Sequence, residues 1–309
     1  MKRVLAGVAT AVAATLTLTA CGGSSDPLAN NQTSGAATGS PAPTGTIVVG
    51  SANFPESTLI AEIYAAALEK TGVKVTKKLN IGSRETYYPG LQDGSIDLIP
   101  EYTGTLLTYI DKTAKQTAED EVYQALQGKL PAQLTVLEKS AAEDKDAVVV
   151  TKETAGKLSL KTIEDLAKTG SVVFGGPPEF QKRADGLPGL KESYNLEVKE
   201  YKSLDVGGPL TVDALKTGAV QAADLFTTDP SIKANDFVVL DDPKSNFAAQ
   251  NVVPLVNKAK ADDTVKKVLN AISAKLTTEV LIELNGKLSA PDKPDASKVA
   301  KDWLTSAGI

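Results

Sequence analysis

The segment Gly94-Ser95-Ile96-Asp97-Leu98-Ile99-Pro100-Glu101-Tyr102-Thr103-Gly104-Thr105 reads as a short strand, expected over 95–99, that runs into a helix. In open α/β sheets, ligands sit beyond the carboxyl ends of strands, beside helix N-termini. The turn at 102–105 therefore marks a candidate site. Two further segments read the same way. Gly50–Ser57 follows an opening β-branched strand at Thr46–Gly50, and Asn80–Glu85 follows a second strand at 74–79. They contribute Asn53 and Phe54, and Ser83 and Arg84, as candidate contacts.

Outward from these points the pattern repeats. A helix is expected from Pro55 to Lys70, with Pro55 and Glu56 in its first turn and Gly72 past its end. Ile60, Ile63, Tyr64, Ala67 and Leu68 share one face of it. Strands are predicted at 146–151, 171–175, 196–201, 220–224, 237–240 and 252–256, with helices between them. Thr162 with Asp165 makes a capping-box start. In the C-terminal third, Val265, Val268, Leu269, Ile272 and Leu276 form an apolar stripe behind Asp262-Asp263. The alternation predicts an α/β protein. Roughly 260 residues beyond position 45 exceed what one core serves, so two lobes are expected.

The N-terminus addresses the compartment. Lys2 and Arg3 precede an uncharged, mostly apolar run from Val4 to Leu18, too short to span a bilayer as a helix. It reads as an export signal over residues 1–20. It ends Leu18-Thr19-Ala20-Cys21, and Cys21 is the single cysteine. This resembles a bacterial lipobox, which implies a lipid anchor on Cys21 at the outer face of the cell membrane. No disulfide can form with one cysteine. The remainder of 21–45 is Gly, Ser, Ala, Thr, Asn and Pro with Asp26 as its one charge, which predicts a disordered tether. No later stretch is apolar and long enough for a membrane helix.

Without Lys2 and Arg3, 31 of the 33 basic side chains face 38 acidic ones, a net charge of −7. That balance argues against nucleic acid as a partner. There is no histidine. His-based triads are excluded and a zinc site is disfavoured, so neither metal nor cofactor is expected. Asp97 and Glu101 flank the Tyr102 turn and raise a glycosidase-like acid/base pair as an enzymatic alternative. Neither a G-x-S-x-G elbow nor a phosphate loop is present, and Gly175-Gly176 and Gly207-Gly208 read as turns. Tyr87 and Tyr88 read as packing or cage residues, Trp303 as a packing residue. Arg84 and Arg183 are candidates either for clamping a ligand carboxylate or for ion pairs between segments.

Four stretches, "GSANFPES", "NIGSRETYYPGLQDGSIDLIPEYTGTLL", "GGPPEFQKRADGLPGL" and "GGPLTVDALKTGAVQAADLFTTD", together resemble the substrate-binding proteins of osmoprotectant ABC importers, which take up glycine betaine, choline, carnitine or related quaternary amines. The resemblance covers about 46–305. It implies a type II periplasmic-binding-protein fold: two α/β lobes joined by two crossover strands near 145–150 and 245–252, with the ligand cleft between them. The first lobe would be 46–147 with 251–309, the second 148–250. It also implies a non-enzymatic monomer that hands a small ligand to a membrane permease, closing around it on binding.

A quaternary ammonium donates no strong hydrogen bond and is recognised by aromatic faces. On that resemblance Tyr102 and Thr105 fall on ligand positions, Phe226 on a cage position, and Tyr123 on another. The chain departs from the family at Asp146 and Gln250, where aromatics are expected, and at Ala52, where some members carry glutamine. An acidic Asp146 still favours a cation, and Gln250 offers hydrogen bonds to a polar group. These departures leave open a different polar or aromatic solute. An exported hydrolase and an extracellular ligand sensor are the other readings the sequence permits.

Overall fold

Pro55 at the first helical position and Gly72 just beyond the last turn bound the helix α1 (Pro55–Lys70) where the sequence places it. The computed structural model describes residues 45–309; the signal segment, Cys21 and the tether through residue 44 lie outside the described residues. The predicted face of α1 is buried, and so are Leu59, Ala61 and Ala65, because helices Asp263–Ser273 and Ala296–Ala307 and the first sheet enclose it. Each fully buried Leu or Ile there contributes about 1.5–3 kcal/mol over an exposed one. Trp303 packs in the same core at 8 % exposure.

The chain forms β1 (Thr46–Gly50), β2 (Lys74–Lys78), β3 (Leu98–Tyr102) and β4 (Leu134–Val136). It continues through β5 (Asp146–Thr151), β6 (Val172–Gly176), β7 (Val198–Ser203), β8 (Ala222–Phe226) and β9 (Phe237–Val239), and returns in β10 (Val252–Asn257). The strands make two five-stranded sheets, ordered β2-β1-β3-β10-β4 and β7-β6-β8-β5-β9. Four members of each sheet point the same way and one runs against them. β10 is antiparallel to β3, and β5 to β8. Each sheet therefore receives one strand from a chain that has crossed between lobes. Apolar clusters cover both faces of both sheets: Leu98 and Val252 belong to one face of the first sheet, Ile99 and Val253 to the other.

Two strand expectations change. β3 lies at 98–102 instead of 95–99, because Pro100 does not end it. Pro100 stands opposite Pro254 of β10, so the missing donors of both prolines fall on one rung. β4 carries only three residues and owes its existence to β10, more than a hundred positions away. The capping box at Thr162 and Asp165 is present, with each side chain accepting the other's backbone N–H at 3.1 and 3.0 Å.

The chain leaves the first sheet after β4 and enters the second at Asp146. The segments before β5 and before β10 run side by side: Val252 N–H donates to Ala142 O at 2.9 Å and Asp144 N–H to Gln250 O at 3.1 Å. A bridge at Glu143–Asn251 joins them. Two helices, α2 (Arg84–Gln92) and α3 (Thr103–Ile110), start at the cleft edge of the first sheet.

Candidate ligand-binding site

The strand-to-helix turn quoted above places Tyr102 at the cleft. Tyr102 ends β3 in extended conformation and is the N-cap of α3. The glycine at 104 is required by a close approach: a Cβ there would lie 2.7 Å from the carbonyl oxygen of Ala249. The incoming crossover caps α3, since Thr105 N–H donates to Gln250 Oε1 at 2.9 Å and Thr103 Oγ1 to Ala249 O at 3.1 Å.

Between the lobes lies a cleft of about 520 Å³, the part open to solvent included. Three aromatic rings converge there. Phe54 precedes α1, Tyr102 ends β3, and Phe226 ends β8 in the second lobe; the Phe54 ring centroid is 5.9 Å from Tyr102 and 5.3 Å from Phe226. Asn53, Ser83, Arg84, Thr105, Asp146 and Arg183 also line it. Nine of the eleven predicted contacts thus meet in one cleft. Tyr87, which the sequence offers as a packing or cage residue, and Ala52 line it as well, together with Asp144 and Glu179, which the sequence does not single out. Asp144 and Asp146 are two apart at the start of an extended run, which puts both side chains on one face; that spacing was the available signal.

Tyr123 and Gln250 lie outside the cleft lining. Tyr123 sits on helix Glu119–Lys129 away from the cleft, its hydroxyl donating to Leu137 O at 2.8 Å and Lys139 Nζ lying 5.9 Å from its ring centroid. Gln250 is 1 % exposed and spends its side-chain oxygen on the start of α3, one layer behind Thr105. The short side chains of Ala248 and Ala249 leave that layer to a helix cap instead of an aromatic ring.

The two arginines resolve into ion pairs at the cleft wall. Arg84 holds Glu101 with Nε at 3.0 Å and Nη2 at 2.7 Å, and reaches Thr105 Oγ1 at 3.2 Å. Tyr87 Oη adds a donor to Glu101 at 2.6 Å. Burial works against the Arg84 charge, but the Glu101 carboxylate outweighs it and raises the guanidinium pKa above the ordinary arginine value. Arg183, from the second lobe, grips Glu85 of the first with two bonds of 3.2 Å. Burial would raise Glu85, yet Arg183 brings it down to about 2. Asp97 accepts the Val48 N–H at 2.9 Å. With Asp97 in the sheet and Glu101 committed to Arg84, the two do not face each other across a substrate space.

The cleft is acidic where the rings converge. Asp144 is 5 % exposed, and burial together with the charge of Glu56 raises its carboxyl well above the usual range. Asp146 is raised to about 6 by burial and then by the Asp185 charge, with Arg183 and Arg84 opposing. Burial, and next the Asp146 charge, push buried Asp224 up as well. A site that raises its own carboxyl groups in this way favours an incoming positive charge. Among the described residues, no group of His, Cys, Asp and Glu is arranged to hold a metal ion.

The model of the substrate-binding domain of ABC-type glycine betaine transport systems matches residues 45–306. The chain belongs to that family. This substrate-binding protein is 26 % identical to the glycine betaine-binding protein YehZ of Escherichia coli, over 85 % of its own length and 90 % of that protein's. It is 25 % identical to the ergothioneine transport permease/ergothioneine binding protein EgtU of Helicobacter pylori over 85 % of its length, but spans only 48 % of that longer protein. A crystal structure of a glycine betaine/carnitine/choline ABC transporter superposes with a TM-score of 0.68 at 25 % identity, covering 85 % of this chain and 98 % of that one. The two lobes and their sheets are those of the type II periplasmic-binding-protein fold. The family consists of non-catalytic solute binders whose partners are a small osmoprotectant and a membrane ABC permease.

Proposed function

We propose that the cleft binds a quaternary ammonium osmoprotectant such as glycine betaine and presents it to the permease. The observation that carries this reading is the meeting of Phe54, Tyr102 and Phe226 from both lobes beside Asp144 and Asp146. Aromatic faces and carboxylates suit a cation that donates no strong hydrogen bond, each ring contributing about 0.5–2 kcal/mol. A ligand carboxylate would then lie toward Asn53, Ser83, Thr105 and the Arg84 guanidinium, near the N-terminus of α2. On this reading the first lobe is 46–147 with 251–309 and the second 148–250, and the chain is exported and anchored through lipid at Cys21. Export is consistent with the family.

A second reading is a larger betaine with an aromatic ring, of which ergothioneine is one. It is favoured by the continuation of the cleft past Arg84 and Arg183 into a hollow lined by Thr108, Tyr109, Lys112 and Lys182. Calorimetric titration with glycine betaine, choline, carnitine and ergothioneine separates the two. Micromolar binding of glycine betaine supports the first reading, and binding of ergothioneine alone supports the second. Failure of all four at millimolar concentration refutes both.

The raised Asp146 gives a pH signature. Its carboxyl, near 6 in the empty cleft, is protonated more readily than in an unfolded chain. A bound cation favours the ionised form, so binding releases a proton between about pH 5 and 7, and affinity rises with pH across that window. Titrations in buffers of different ionisation heat are expected to reveal the released proton, and Asp146→Asn to abolish it. A pH-independent affinity in the wild-type protein would place Asp146 away from the bound charge.

A further inference from the structure

At the hydroxyl end of the Tyr102 ring, in a hollow that shares Phe54 and Phe226 with the cleft, lies a carboxylate to which neither the sequence nor the family match assigns a role. Glu56, in the first turn of α1, is 4 % exposed. Tyr102 Oη donates to its Oε1 at 2.7 Å, while Thr228 Oγ1 and Asn285 Nδ2 both donate to its Oε2 at 2.6 Å. None of the ion pairs among the described residues includes Glu56 or the neighbouring Asp144. A carboxylate this deep is costly without a positive charge, and three hydrogen bonds offset only part of that cost. The donors come from different places: Tyr102 and Asn285 from the first lobe, Thr228 from the segment that follows β8 of the second. The set is complete only while the lobes are together.

We infer that Glu56 is the positioning residue that makes the cleft selective for a positive charge, acting through the Tyr102 ring it holds and completed by Thr228 when the lobes meet. The inference rests on the proposed ammonium ligand. A phenol whose O–H is donated to a carboxylate is polarised, and its ring face becomes more negative. A cation over that face gains from both the ring and the anion bonded to its hydroxyl, in surroundings where water does not screen them. Asp144 lines the cleft on the same side and accepts the Thr228 N–H at 3.1 Å, and the Glu56 charge is among the causes that raise its carboxyl. A neutral ligand of the same shape gains none of this. Glu56 therefore sets the difference between a trimethylammonium group and a tert-butyl group.

The test compares glycine betaine with 3,3-dimethylbutanoate, in which carbon replaces the ammonium nitrogen and the carboxylate is kept. Both compounds are titrated into wild-type protein, Glu56→Gln and Tyr102→Phe. Both variants are expected to weaken glycine betaine about tenfold and the carbon analogue less than twofold. Tyr102→Phe keeps the ring in place and carries the test should Glu56→Gln not fold. Equal weakening of the two ligands would make Glu56 a purely structural residue and overturn the inference, as would no weakening of either. Wild-type protein that binds neither compound overturns the ammonium reading itself, and the inference with it. That result is distinguished from the others before any variant is made.

Discussion

Replacing Glu101 with alanine is expected to lower folding stability by about 3–5 kcal/mol, the cost of leaving a buried charge without its partner. Glu101 is fully buried and takes three bonds from Arg84, one from Tyr87 and one from the Tyr102 N–H at 3.1 Å. Truncation strands the Arg84 guanidinium, itself 5 % exposed, with Thr105 Oγ1 as its remaining side-chain acceptor. At about 2–4 °C per kcal/mol for a domain of this size, the melting temperature should fall by roughly 10 °C. Thermal unfolding followed by circular dichroism measures it. The double replacement Arg84→Met with Glu101→Leu removes both charges and should recover much of the loss, because apolar side chains of similar volume avoid the desolvation cost. A single-variant shift below about 3 °C would mean that water reaches Arg84 once Glu101 is gone.

That pair also explains what was legible in the sequence. Arg84 stood out because it opens a helix beside a cleft, and direct ligand contact and an ion pair were both admissible for it. The structure gives it the ion pair while leaving it on the cleft wall. The choice between the two depended on Glu101, seventeen positions away on another element, and no local pattern encodes that pairing. Local chemistry did encode α1, whose limits are set by a proline and a glycine, and β5, whose β-branched run is buried on both faces. It failed for β4, where three residues become a strand only because β10 returns beside them.

The site divides along the same line. Phe54 and Tyr102 were readable because their segments stand at the carboxyl end of a strand, and Phe226 through the family resemblance; the sheet topology brings these strand ends to one cleft. Tyr123 and Gln250 stand outside the cleft lining, since correspondence along the chain does not say which layer a side chain occupies. Gln250 is adjacent to the cleft in sequence terms, yet the capping demand of α3 turns it inward. Glu56 was passed over for a related reason. An acid in the first turn of a helix is an ordinary dipole partner, and its burial beneath Tyr102 depends on Thr228 and Asn285, 172 and 229 positions distant.

Tyr102→Ala is expected to have the largest effect on ligand binding, because that ring serves the cleft and the core together. Its face contributes up to about 2 kcal/mol to a bound cation, which corresponds to a loss of roughly 30-fold in affinity. The ring is also 8 % exposed and packed among the core side chains of the first lobe, so its truncation should cost about 3–5 kcal/mol of stability. Phe226→Ala separates the two contributions. Phe226 is only half-buried and contacts Phe54 across the cleft, so its removal should weaken binding by a similar factor while moving the melting temperature far less. Titration with glycine betaine and thermal melts of both variants supply the comparison. If Tyr102→Ala lost stability but kept its affinity, the aromatic trio would be a packing cluster that closes the lobes, and the ammonium group would have to bind further out, toward Tyr109 and Arg183.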